Sequence, residues 1–198
     1  MLDDVYNSDV AIEQPWNPAR AGKRATKDEV KDGNYWPARA HTMIGRKRLQ
    51  NFRKCIETAI KDKVSGDILE AGVWRGGASI YARGVLQAYN DESRKVYVAD
   101  SFSGLPRPSG TRYPQDKDDE HWKIDYLRIP IEEVKSNFAA YGLLDDQVIF
   151  LPGFFEETLH NAPVNSLAVL RLDGDMYSST IQALEALHHK ESPGGFGI

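Results

Sequence analysis

The sequence predicts an α/β protein built on an open, doubly wound parallel sheet, and three observations predict it. Short apolar segments of strand length alternate with longer segments of helical period, the pattern that lays crossover helices over a parallel sheet. The strand-like segments, such as LAVLRL at 167–172, are almost continuously apolar rather than alternating, as strands covered on both faces are. Three of them run into a carboxylate, at Glu70, Asp100 and Asp173, and in such sheets ligands bind beyond the carboxyl ends of the strands.

With 198 residues, 41% of them hydrophobic and 27% charged, the chain fits one globular domain with a sizeable core. A net charge of -4 argues against a general nucleic-acid binder, which needs a basic face to neutralise phosphates. The basic stretches at 20–31 and 46–48 read as solvated surface. The lone cysteine, Cys55, excludes an internal disulfide and a cysteine-based zinc site, and its apolar surroundings read as core. The N-terminus is acidic and has no leader-like apolar stretch, and no run approaches the roughly 20 residues that cross a bilayer. A cytoplasmic protein with no membrane partner is expected.

Residues 1–38, with Pro15, Pro18, Gly22, Gly33 and Pro37 and little periodicity, read as an N-terminal arm that folds over a ligand; 39–198 is the domain proper. A helix is predicted over 39–60, with Leu49, Phe52, Ile56, Ala59 and Ile60 on one stripe. A strand at 67–71 leads to a helix at 78–89, with Ala78, Ala82, Val85, Leu86 and Tyr89 inward. KVYVA at 95–99 is a strand ending at Asp100, and the proline-rich stretch 101–130 is a long polar loop. Ile131, Val134 and Phe138 mark a helix over 131–141, closed by Gly142. Strands follow at 148–151 and 167–172, then a helix over 179–189 with Ile181, Leu184 and Leu187 inward. A final strand begins near Gly195.

The segment ILEAGVWRGGAS, 68–79, joins the first strand to the next helix. Gly72 is followed by Val73, Trp74 and Arg75 before Gly76, so the dinucleotide fingerprint G-x-G-x-x-G is absent; Gly77 is followed by Ala78, so a P-loop is absent too. The looser E-x-G-x-x-x-G suits a ligand with an amino-acid end and a nucleoside end. Gly72 lets the backbone approach it, and the helix start near Ala78 offers N–H groups to a carboxylate. Asp100, at the end of the second strand, is placed to accept ribose hydroxyls. That combination describes S-adenosylmethionine.

The longer words WPARAHTMIGRKRLQN (36–51), GDILEAGVWRGGASI (66–80), DSFSGLPRP (100–108), FAAYGLLDDQVIFLPGFFEETL (138–159) and LRLDGDMYSSTIQALEAL (170–187) resemble the macrocin O-methyltransferase family, typified by TylF and MycF. The resemblance implies the Rossmann-like class I methyltransferase sheet with an N-terminal cap. It also implies S-adenosylmethionine and Mg2+ as cofactors, and a sugar hydroxyl of a small natural product as acceptor. By position it places Glu70, Gly72 and Gly76 at the methionine end, Asp100 on the ribose, and Ser101 and Phe102 beside the adenosine. Gly153 and Phe154 lie by the adenine, and Thr42, Met43 and Ile44 belong to the closing N-terminal element. Asp173 is the metal ligand and takes the acceptor proton, and the loop with Asp119, Glu120, His121 and Trp122 shapes the acceptor pocket.

Competing readings stand beside these roles. Asp173 with Asp175 also suits a turn before a helix, where aspartate is favoured. His121 as a base competes with a plain surface histidine, and Trp74 as a ligand contact competes with packing under its loop. The resembled family continues past SPGGF with a strand ending in two aspartates and then two further strands. For a chain ending at Ile198 the expectation is therefore a sheet without its last strands, a metal site resting on Asp173, and an exposed strand edge. A module that binds S-adenosylmethionine without catalysis is the alternative, and a homo-oligomer is compatible with the sequence.

Overall fold

Five strands form one sheet in the computed structural model, which describes residues 10–14 and 17–198. They are β1 (Asp67–Ala71), β2 (Val96–Asp100), β3 (Val148–Pro152), β4 (Leu167–Leu172) and β5 (Glu191–Gly197). The order is β3-β2-β1-β4-β5 with every pairing parallel. The chain winds outward from β1 to β3 and returns to the other side of β1 with β4, so strand order reverses between β1 and β4. That reversal is where an open α/β sheet leaves a crevice.

Six α-helices are described: α1 (Lys27–Asp32), α2 (Gly45–Lys61), α3 (Gly77–Ala88), α4 (Ile131–Ala140), α5 (Phe155–Thr158) and α6 (Tyr177–Leu187). Strand alternation sends Ile68, Val96 and Val98 into one apolar layer with Leu49, Phe52, Ile80, Leu86 and Phe138. It sends Leu69, Tyr97 and Leu170 into the other, with Ala183, Ala186 and Leu187 of α6. Both faces are thus covered, which is why the strands carry no polar alternation. Cys55 is buried in the first layer, and burial pushes its thiol up.

Several boundaries differ from expectation. The helix predicted from residue 39 starts only at Gly45, because the carbonyls a helix would use are engaged elsewhere. Arg75 Nη1 donates to the carbonyls of Ala38 (3.0 Å) and Ala40 (3.1 Å), and the Gly77 N–H donates to that of His41 (2.9 Å). Tyr89, expected inward, is 49% exposed at the end of α3. On α6 the small residues Ala183 and Ala186 face the sheet and let the helix approach closely, which leaves Leu184 36% exposed. The loop over 101–130 contains short 3-10 turns at Pro114–Asp116, His121–Lys123 and Asp125–Leu127, and the short α5 follows β3. β5 begins at Glu191, ahead of Gly195.

Within the expected arm, residues 1–9 and 15–16 lie outside the described residues. The rest includes α1, fastened by a capping box in which Thr26 and Glu29 satisfy each other's backbone N–H. Lys47 of α2 pairs with Asp32 of α1 at 2.7 Å. No helix among the described residues is long and apolar enough to cross a membrane.

Candidate functional site

Because β2, β1 and β4 are adjacent and parallel, their carboxyl ends bring Glu70, Asp100 and Asp173 to one edge. A cavity of about 750 Å³ opens there, within the range of small-molecule sites. Thr42, Met43, Ile44, Glu70, Gly72, Asp100, Ser101, Phe154 and Asp173 all line it, so most of the residues singled out from the sequence meet in one place. Gly76, Phe102, Gly153 and His121 are not among the lining residues.

The loop after β1 is held by hydrogen bonds to Asp100. Its Oδ2 accepts from the N–H groups of Val73 (2.9 Å) and Trp74 (3.3 Å), and its Oδ1 accepts from Phe102 (2.9 Å). Burial nevertheless raises this carboxyl above its ordinary range. Gly72 is required for a different reason than ligand approach. At φ 88° a Cβ would lie 2.3 Å from the Asp173 carbonyl oxygen, so glycine lets the β1 and β4 exits touch. The N-terminus of α3 is covered as well as open: the Gly77 N–H is taken by His41, and Ala78 lines the cavity.

Trp74 packs under its loop and also borders the cavity. Its Nε1 donates to the Tyr126 carbonyl at 3.0 Å in the loop above. Tyr126 stacks on Trp36 with centroids 5.1 Å apart, so three distant segments meet over the crevice.

Below it runs a buried ionic chain. Ser79 Oγ donates to Glu70 Oε2, Arg171 Nη1 donates to Glu70 Oε1 at 2.5 Å, and Arg171 Nη2 donates to Asp173 Oδ2 at 2.9 Å. Burial pushes the Glu70 carboxyl up to about 7, against the pull of Arg171 and Ser79. Arg171 and Ser79 escaped the sequence reading. A lone arginine inside an otherwise apolar strand was the available signal, since such a cation needs a buried counter-charge.

Asp173 and Asp175 stand at the cavity between β4 and α6. Asp175 lines the cavity and is exposed to it. Desolvation by the surrounding protein, with the neighbouring Asp173 charge, raises its carboxyl to about 6, while His121 pulls it down. His121 Nδ1 lies 3.0 Å from Asp119 Oδ2, and its N–H pairs with Asp119 Oδ1 at 2.8 Å. Among the described residues no three His, Cys, Asp or Glu side chains are grouped to hold a metal ion.

A family model described as macrocin-O-methyltransferase (TylF) matches residues 5–198. The chain is 53% identical over 167 residues to an 8-demethyl-8-(2,3-dimethoxy-alpha-L-rhamnosyl)-tetracenomycin-C 4'-O-methyltransferase of Streptomyces olivaceus, covering 84% of this chain and 64% of that protein. It is 50% identical over 169 residues to mycinamicin III 3''-O-methyltransferase of Micromonospora griseorubida, covering 84% of this chain and 66% of that one. The chain thus spans slightly less than two thirds of these curated relatives. The solved structure of the O-methyltransferase NovP superposes with a TM-score of 0.91 at 43% identity, covering 99% of this chain and 79% of that chain.

Proposed function

The chain belongs to the macrocin-O-methyltransferase (TylF) family, and from that premise we propose that it transfers a methyl group from S-adenosylmethionine to a sugar hydroxyl of a natural product. The observation that carries the reading is the cavity at the strand-order reversal, lined by Glu70, Gly72, Asp100, Asp173 and Asp175 together. The relatives named for sugar-bearing tetracenomycin and mycinamicin acceptors support the substrate class.

The cavity residues fit the proposed cofactor. Asp100 Oδ1 keeps a lone pair beyond its backbone partner Phe102 and can accept from a ribose hydroxyl. Thr42, Met43 and Ile44 cover the crevice and exclude water, and Glu70, fixed by Arg171 and Ser79, offers a carboxylate to an ammonium. When bound, S-adenosylmethionine supplies an electrophilic methyl group, and the protein's share is to align the acceptor oxygen with it. A sugar hydroxyl is a weak nucleophile at neutral pH, so a base beside it matters. Asp173, which the resemblance assigns to that proton, has Oδ2 held by Arg171 at 2.9 Å. Asp175, also lining the cavity and raised to about 6, is largely ionised at pH 7 and can take it, with Asp173 orienting the acceptor. His121, weighed as a base, stands outside the cavity lining with its ring on Asp119.

Magnesium takes oxygen ligands in a nearly octahedral shell. Among the described residues Asp173 and Asp175, the first engaged by Arg171, do not by themselves make up such a shell, so no step is routed through the ion. The test is incubation with methyl-labelled S-adenosylmethionine and the acceptors of the two curated relatives, with and without a chelator. Label appearing in a sugar methyl ether supports the reading. Affinity for S-adenosylhomocysteine without turnover would favour the binding-module alternative, and neither binding nor turnover would sink both.

A further inference from the structure

We propose that Asp116 is a positioning residue that clamps the 104–127 segment against the N-terminus of α6, and so sets the acceptor side of the cavity. The inference rests on the reading of this cavity as a cofactor and acceptor site.

Asp116 sits in the segment between β2 and α4, where sequence gave no reason to single it out, yet it is only 4% exposed. Its Oδ1 accepts from the Tyr177 N–H at 2.8 Å and its Oδ2 from the Ser178 N–H at 2.9 Å. Helix α6 has no capping side chain of its own, since its N-cap position is Met176. A helix start leaves N–H groups unsatisfied and attracts negative charge. Here the charge comes from a loop far away in sequence. Burial raises the Asp116 carboxyl, but the Ser178 hydroxyl and the amides of Ser178 and Tyr177 outweigh it and hold it below the usual range.

The location makes this clamp matter. Tyr177 follows directly on Asp173–Met176, so the loop is tied to the element that carries Asp173 and Asp175. Leu105, Arg107, Ser109, Arg112 and Tyr113 of the same loop line the cavity. Two further ties between loop and helices are peripheral. Arg112 pairs with Glu156 where both are more than half exposed, and the Tyr113 and Tyr177 rings are 6.2 Å apart. Exposed ion pairs hold geometry weakly, whereas a buried carboxylate on two backbone donors fixes both distance and orientation.

The experiment compares wild type, Asp116→Asn and Asp116→Ala by hydrogen exchange and by titration with S-adenosylhomocysteine. In Asp116→Ala, exchange should rise about tenfold or more in the 104–123 segment and at Tyr177 and Ser178, with β1, β2 and α3 unchanged. Asp116→Asn, which keeps one acceptor oxygen, should fall between. Cofactor-product affinity should stay within about threefold. With mycinamicin III as the acceptor probe, the acceptor KM should rise while kcat is largely kept. Unchanged exchange in the loop, or an equal rise throughout the chain, would overturn the clamp. Failure of wild type to bind S-adenosylhomocysteine would sink the functional reading alone, because the exchange pattern decides the clamp independently.

Discussion

Glu70 and Arg171 lie side by side with almost no exposure, and neither charge is tolerable there alone. Removing one partner of a buried pair costs far more than the pair contributes, because an uncompensated charge remains. Arg171→Met should therefore destabilise the fold by about 3–5 kcal/mol at pH 8. The loss should be smaller at pH 5, where Glu70, already raised to about 7, is neutral. Urea unfolding at the two pH values checks this, and an equal loss at both would refute it.

Asp175 gives a second prediction at this scale. Its carboxyl is raised from 3.8 to about 6, so its proton is retained in the folded state where the unfolded chain has released it. The resulting stability is present in full below 3.8 and is lost as pH rises through about 6. Activity should run the other way: turnover should climb through about pH 6 as the carboxylate becomes free to take a proton. Asp175→Asn should abolish that limb while making the folded protein more stable at pH 8. A variant with the wild-type pH–rate profile would remove Asp175 from the proton path.

At the scale of elements, the strap at residues 40–44 shows what sequence periodicity resolves and what it does not. The buried stripe of α2 was legible from Leu49 to Ala59, because one apolar face repeats at helical spacing. The start of the helix was not, because Arg75 and Gly77, far along the chain, capture the carbonyls before it. On α6 Leu187 is inward as expected, but Leu184 is exposed and Ala183 and Ala186 face the sheet, since alanines seated on a sheet leave only a weak periodic signal.

Gly77→Ala isolates the strap. Alanine is better than glycine in a helix by up to about 1 kcal/mol. But the new Cβ would lie 2.4 Å from the His41 carbonyl oxygen and 2.8 Å from Thr42 Cβ, a backbone clash that no rotamer relieves. The clash should win, lifting Thr42–Ile44 from the cavity and weakening S-adenosylhomocysteine binding about tenfold or more. Unchanged affinity would show that the strap does not cover the bound ligand.

For the whole molecule, the sheet and its carboxylate-lined edge were readable because alternation and strand-end carboxylates are local signals. The order β3-β2-β1-β4-β5 brings Glu70, Asp100 and Asp173 together as expected. Partnerships across the fold were not readable: Arg171 beneath Glu70, Asp116 on α6 and Tyr126 against Trp36 depend on tertiary packing. The central claim is that this edge holds S-adenosylmethionine with Asp100 on the ribose. Calorimetric titration of S-adenosylhomocysteine into wild type and Asp100→Ala, with thermal unfolding to confirm that both are folded, tests it most directly. Saturable one-site binding to wild type, weakened by about 1–3 kcal/mol in the variant, is the predicted result; no binding to wild type, or equal affinity in a folded variant, would contradict it.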